Sequence, residues 1–204
     1  MRALIFAGGE VRDYGFIKSL IKNDDLLIAA DSGAEHLYKI DLEPDVLIGD
    51  MDSISVKPYG KEIIKLNVMK DETDTEAAVR IAAEKGADDI VIVGATGTRL
   101  DHSLANLLML KSLSEDNIKA QILDEKNSVR YVDGSFEIDG AEGDTVSIIP
   151  LTRLHIESTK GLLYEVMDGF LEVGSSRGVS NVMTSNTAKV TLKSGTALVI
   201  KSKD

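Results

Sequence analysis

The sequence predicts two domains: a mostly parallel α/β sheet domain over residues 1–124 and an antiparallel β-sandwich over 125–204. Two observations predict them. Up to about residue 124, short apolar runs alternate with segments of helical spacing, the pattern of parallel strands with helices on both faces. Beyond that point no amphipathic helix is evident, and short runs of alternating polarity are separated by turn dipeptides, the pattern of a sandwich.

In the first part, RALIFAG reads as a strand ending in glycines, and YGFIKSLIK as a helix. LLIAADSG is a second strand, AEHLYKI a short helix, DVLIGD a third strand and KEIIKLNV a fourth. TDTEAAVRIAAEKG is a helix with both ends marked. Thr73 and Glu76 fit a capping box, and Gly86 fits the stop just past the end. DDIVIVGATG is a buried strand, HSLANLLMLKSL a helix and AQILDE the last strand of this part. In the second part the strands are TVSIIP, RLHIES, LLYEV, AKVTLK and TALVIKS. Turns are expected at Asp133-Gly134, Asp139-Gly140, Asp168-Gly169 and Ser194-Gly195.

Composition narrows the function classes. The chain has no cysteine, which excludes disulfides and thiolate metal sites. The first ten residues are too short and too soon polar for a signal peptide, and no apolar run is long enough to span a membrane, so the cytoplasm is the expected compartment. A net charge of −11 argues against nucleic acid as the partner. Residues 1–124 carry 14 Lys and Arg against 23 Asp and Glu, so the acidic excess belongs to the first domain.

In an open parallel sheet, ligands bind beyond the carboxyl ends of the strands. The polar residues just after each apolar run are therefore the candidates. They are Gly8-Gly9, Asp31-Ser32-Gly33, Asp50-Met51-Asp52-Ser53, and Gly94-Ala95-Thr96-Gly97 followed by Arg99, Asp101 and His102. Asp74 stands at a helix opening. Five aspartates (31, 50, 52, 74 and 101) would thus share one rim. Asp50 and Asp52 are two apart, and in extended backbone their side chains point the same way. A hard cation such as Mg²⁺, which takes carboxylate and phosphate oxygens, would offset their repulsion. Taken singly, Asp74 and Asp101 are also explained as helix-start acids, and Asp31 as a turn residue. The glycine turns suit close approach of phosphates or simply tight turns. Neither a P-loop nor a dinucleotide fingerprint is present. His36 and His155 have no evident partners in the sequence and are read as structural.

ADSGAEHLY, PDVLIGDMDSI, KDETDTEAAV, GATGTRLDHSLANL, GLLYEV and GSSRGVSN, in this order, resemble the bacterial thiamine pyrophosphokinases over nearly the full length. The resemblance implies transfer of a pyrophosphoryl group from ATP to the hydroxyl of thiamine by a Mg²⁺-dependent homodimer. It implies catalytic aspartates at Asp50, Asp52, Asp74 and Asp101, with the metal on Asp50, Asp52 and Asp74. ATP contacts would fall on Gly8, Gly9, Asp31, Ser32, Thr96, Gly97, Arg99 and His102. Thiamine contacts would fall on Ser180 and Asn181, at the interface of two subunits. The sequence departs from the family's usual wording at Ser32, Thr98 and Val182, which bears on contacts rather than on reaction type. Three other readings remain open: a pyrophosphokinase for another hydroxymethyl heterocycle such as a pterin, a binding module without turnover, and an acidic scaffold protein.

Overall fold

The computed structural model describes residues 1–67, 71–97 and 99–203. Val68 of KEIIKLNV, Lys70 of KDETDTEAAV and Thr98 of GATGTRLDHSLANL lie outside the described residues. The chain forms two compact units, Met1–Glu125 and Lys126–Asp204.

The first unit contains β1 (Arg2–Phe6), α1 (Tyr14–Leu20), β2 (Leu26–Ala30), α2 (Ala34–Tyr38), β3 (Val46–Gly49) and β4 (Glu62–Lys65). It continues with α3 (Asp74–Glu84), β5 (Asp89–Val93), α4 (Leu100–Glu115) and β6 (Lys119–Leu123). All six strands are parallel, in the order β6-β5-β1-β2-β3-β4. The inner strands are continuous apolar runs because both faces are covered. Leu4, Phe6, Leu27, Ala29, Leu47, Val91 and Val93 form one core with Ile17 of α1 and Ala34 and Leu37 of α2. The alternate residues, Ile5, Ile28, Ile48, Ile90 and Ile92, are equally buried and belong to the opposite face. There α3 packs on β1, β2 and β3, and α4 packs on β6. Each buried Val, Leu, Ile or Phe side chain contributes about 1.5–3 kcal/mol of transfer free energy.

Helix ends follow the local chemistry. Asp13 caps α1 by accepting from Gly15 N and Phe16 N. Thr73 caps α3 by accepting from Glu76 N, as the capping pattern predicts, and Gly86 follows the helix end at φ 89°. From β1 the chain runs outward through β2, β3 and β4, then returns to β5 on the other side of β1. Beside β1 the strand order reverses, and a crevice opens at the carboxyl ends of β1, β2 and β5.

The second unit contains β7 (Asn127–Val132), β8 (Phe136–Asp139), β9 (Thr145–Pro150), β10 (Leu154–Lys160), β11 (Met167–Leu171), β12 (Asn181–Val182), β13 (Thr187–Ser194) and β14 (Ala197–Ser202). The order β12-β9-β14-β7 forms one antiparallel layer and β11-β10-β13-β8 the other. Val132, Val146, Ile148 and Val199 of the first layer share a core with Leu154, Ile156, Leu171 and Val190 of the second. This is the sandwich the alternating runs predict. Ser194-Gly195, with Gly195 at φ 96°, carries the chain from one layer to the other.

Two local expectations are corrected. LLYEV is not a strand; beyond a single bridge from Leu162 to Met183 it is irregular. Its exposed Leu163 and Tyr164 lie in no ladder, so the apolar run misleads. Asp168-Gly169 is not a turn but lies inside β11, where the recorded pairing with β10 skips Asp168, at φ 48°.

Candidate active site

The crevice at the strand ends is a polar cleft of about 390 Å³. Its walls come from the loops after β1 (Gly8, Gly9), β2 (Asp31, Ser32), β3 (Asp50, Asp52, Ser53) and β5 (Thr96, Gly97, Arg99). The first residues of α3 (Asp74, Thr75) and the first turns of α4 (His102, Asn106) complete it. The sequence-derived candidates of this unit therefore converge on one cleft, with the exceptions of Gly33, Met51 and Asp101.

Glycines let the loops nest. A Cβ on Gly33 would stand 1.9 Å from the Phe6 carbonyl oxygen, and one on Gly9 would stand 2.2 Å from that of Thr96. Gly9 N–H donates to the Gly94 carbonyl at 2.8 Å, joining the loops after β1 and β5. Side chains of α4 fix the latter loop further. Asn106 Nδ2 donates to the Ala95 carbonyl at 2.7 Å, and Ser103 Oγ accepts from Gly97 N at 3.1 Å.

The carboxylates gather at the β2 and β3 ends. Asp31, Asp50 and Asp52 each offer an oxygen within 4.8 Å of the other two. Asp50 and Asp52 converge by a different route from the extended backbone expected. Met51 between them takes φ 67°, and Asp52 N–H donates to Asp50 Oδ1 at 3.2 Å, an Asx-type turn. Asp31, at φ 47°, is 9 % exposed, and its Oδ1 is buried with no hydrogen-bond partner. Burial pushes its carboxyl up, the Ser53 hydroxyl and the Ser32 amide pull it down, and the charges of Asp74 and Asp50 push it up again.

A buried orphan oxygen beside two more carboxylates is costly without a cation. Mg²⁺ holds ligands at about 2.0–2.1 Å, so any two lie no more than about 4.2 Å apart. The three oxygens are close to that spacing, and the all-oxygen donor set suits a hard cation. Asp74 stands outside this trio, on the cleft wall, near enough to act on Asp31 through its charge.

Arg99 points its guanidinium at Asp101, with Nη2–Oδ2 at 2.7 Å. That contact and the His102 amide pull the Asp101 carboxyl down to about 2. Asp101 thus pairs with Arg99 at the exposed rim.

His36 does have partners. Its Nε2 faces the Gly9 carbonyl at 2.9 Å and its Nδ1 faces the Tyr14 hydroxyl at 3.0 Å. A carbonyl only accepts, so Nε2 carries the proton and Nδ1 accepts from Tyr14. Asn106, Ser103 and His36 are the residues that sequence reasoning missed. Their signal is weak: polar groups inside helices next to glycine loops, where helix propensity alone disfavours Asn and Ser.

In the second unit, Asn181 uses its side chain within the fold. Its Oδ1 accepts from Tyr164 N at 3.0 Å and Val182 N at 2.9 Å, and its Nδ2 donates to the Tyr164 carbonyl at 2.8 Å. Ser180, at φ 59°, exposes its side chain, while its amide donates to Ser147 Oγ.

Residues 17–122 match the family model described as thiamin pyrophosphokinase, catalytic domain, and residues 135–197 match that of its vitamin B1 binding domain. The chain belongs to the thiamin pyrophosphokinase family. Within the family it is 27 % identical to the thiamine pyrophosphokinase of Bacillus subtilis over 209 residues, 98 % of each chain. It is 27 % identical to thiamine pyrophosphokinase 1 of Oryza sativa over 81 % of this chain and 75 % of that one. The crystal structure of a thiamine pyrophosphokinase from Bacillus subtilis superposes with a TM-score of 0.89 at 26 % identity, covering 100 % of both chains. That from Geobacillus thermodenitrificans superposes with a TM-score of 0.86 at 25 % identity, covering 100 % of this chain and 98 % of the other. The family's catalytic-domain match spans Asp31, Asp50, Asp52, Asp74 and Arg99, while Gly8 and Gly9 precede it. No helix among the described residues is long and apolar enough to cross a membrane.

Proposed function

We propose that this thiamine pyrophosphokinase uses the cleft of residues 1–124 to bind ATP and a divalent cation, and residues 125–204 to bind thiamine. The observation that carries the reading is the trio Asp31, Asp50 and Asp52, with the buried unpartnered oxygen of Asp31, at the carboxyl ends of β2 and β3 in the cleft of a parallel sheet. Asp31, Asp50 and Asp52 would hold Mg²⁺, which supplies neutralisation of phosphate charge; Asp74 is the remaining carboxylate on the wall.

Phosphoryl-type transfer is mostly positioning and charge stabilisation. The backbone amides of Gly8, Gly9 and Gly97 suit phosphate oxygens, and Arg99 turns from Asp101 to the polyphosphate. The thiamine hydroxyl oxygen attacks the β-phosphorus while the bond from that phosphorus to the α–β bridging oxygen breaks. AMP leaves, and the hydroxyl proton passes to a carboxylate. Asp74 is better placed than Asp101, which lies outside the cleft lining. Ser180 presents an exposed hydroxyl for thiamine, and Asn181 shapes that segment through Tyr164. We place the thiamine site at the interface of a homodimer in the cytoplasm. The exposed Leu100, Leu104 and Leu108, spaced four apart on α4, support a subunit contact.

The deciding experiment incubates the protein with ATP, Mg²⁺ and thiamine and resolves the nucleotide products by chromatography. AMP and thiamine diphosphate in equal amounts are expected. ADP with thiamine monophosphate would refute the reaction, turnover of a hydroxymethylpterin instead would change the acceptor, and no turnover would leave a binding module.

A further inference from the structure

The three carboxylates of the cluster do not sit on equally firm ground. Asp31 opens the 3-10 turn Asp31–Gly33, which runs directly into α2, and Gly33 is wedged against the end of β1. Asp50 and Asp52, by contrast, begin a segment that has no helix or strand until β4 starts at Glu62. Something must hold that segment at a fixed distance from Asp31, because a 1 Å error in a ligand set is enough to lose the ion's geometry.

Two side chains of α2 reach it. Glu35 Oε1 accepts from both the backbone amide of Ser55, at 2.6 Å, and the Ser55 hydroxyl, at 2.7 Å. One turn further on, the Tyr38 hydroxyl donates to the Tyr59 carbonyl at 2.6 Å and accepts from the Tyr59 amide at 3.0 Å, with the two rings stacked 4.0 Å apart. Ser55 is three residues from Asp52, so the Glu35 contact is the nearer of the two to the ligands. A carboxylate taking two hydrogen bonds on one oxygen is a strong tether; Ser55 is exposed, and the partly buried Met51 and Ile54, packed against the core, anchor the same segment without fixing its polar backbone.

We propose that Glu35 is a positioning residue for the divalent-cation site: by gripping Ser55 it sets the distance of Asp50 and Asp52 from Asp31, which leads into the same helix. The inference rests on reading Asp31, Asp50 and Asp52 as that site. Glu35 itself touches neither ion nor substrate; it acts through the loop, as partners of metal ligands do.

The test titrates Mn²⁺ alone into the full-length protein by calorimetry, for the wild type, Glu35→Ala, Glu35→Gln and Ser55→Ala, with Asp50→Asn as the ligand control. Glu35→Ala is expected to weaken Mn²⁺ binding by about 10-fold or more. Glu35→Gln, whose amide oxygen still accepts from Ser55, should lie closer to the wild type. Ser55→Ala, which removes one of the two donors, should fall between. In turnover, the Mg²⁺ concentration for half-maximal rate should rise in Glu35→Ala while the rate at saturating Mg²⁺ recovers. Loss of Mn²⁺ binding in Asp50→Asn with unchanged binding in Glu35→Ala and Ser55→Ala would overturn the role of Glu35 and leave the cation site standing. Unchanged binding in Asp50→Asn would remove the site, and the proposal with it.

Discussion

His36 shows how one side chain links the fold to pH. It is buried, neutral and hydrogen-bonded at both ring nitrogens, and burial holds its pKa below the usual value. Below about pH 6.5 the unfolded chain takes up a proton that the folded state refuses. Stability present above that value is therefore lost as the pH falls toward the lowered folded pKa. Thermal unfolding between pH 7 and pH 5 checks this. The wild type should lose more of its midpoint than His36→Gln, which starts lower because the Tyr14 and Gly9 contacts are weakened; parallel curves would refute the role. Asp50 and Asp52 make a second residue-scale prediction. Asp50→Asn or Asp52→Asn keeps shape but removes a charged oxygen, and turnover should fall at least ~100-fold, about 2.7 kcal/mol of barrier. A folded, fully active variant would remove either from the metal set.

At the scale of elements, α4 is both a covering helix and the support of the β5 loop. Asn106 is 6 % exposed and spends Nδ2 on the Ala95 carbonyl. Asn106→Ala leaves that carbonyl unpaired and should cost about 1–3 kcal/mol, read as a shift in denaturant midpoint. It should also raise the Michaelis constant for ATP more than that for thiamine, because Gly94–Gly97 lines the cleft that we propose for the nucleotide. Equal effects on both substrates would assign Asn106 to packing alone. Elements with a strong period are legible in the sequence for the same physical reason that makes them stable. The runs of β1, β2, β3 and β5 are buried on both faces, and Thr73 and Gly86 mark α3 with caps. What is not legible depends on contacts between distant segments. LLYEV has strand-like residues but no ladder, Met51 takes a left-handed conformation that its residue type does not signal, and Asp168-Gly169 looks like a turn yet lies inside β11. In the cleft, the glycines and aspartates are legible because strand ends are where ligands bind. His36 and Asn106 are not, since their partners, the Gly9 and Ala95 carbonyls, are anonymous backbone atoms.

The whole molecule adds a constraint that no single residue carries. Residues 1–124 hold a net charge of −9, and the cleft that we assign to ATP is lined by Asp31, Asp50, Asp52 and Asp74 with Arg99 as its one Lys or Arg among the described residues. That arginine is already paired with Asp101. A polyphosphate approaching such a surface is repelled unless a cation comes with it or is already bound. ATP without a divalent ion should therefore bind poorly. Added monovalent salt shortens the Debye length from about 30 Å at 0.01 M to about 8 Å at 0.15 M. Screening then weakens the repulsion, so metal-free ATP binding should strengthen as salt rises. With Mg²⁺ present the local charge is balanced and the salt dependence should flatten or reverse. Calorimetric titration of ATP into the protein, with EDTA and with Mg²⁺, at two salt concentrations, measures all four affinities. In Asp52→Asn one negative charge is gone, so the metal-free affinity should rise while the gain from Mg²⁺ shrinks. If metal-free ATP binding instead weakens with salt, attraction by cationic groups outweighs the carboxylates, and the acidic cleft is not where the polyphosphate lies.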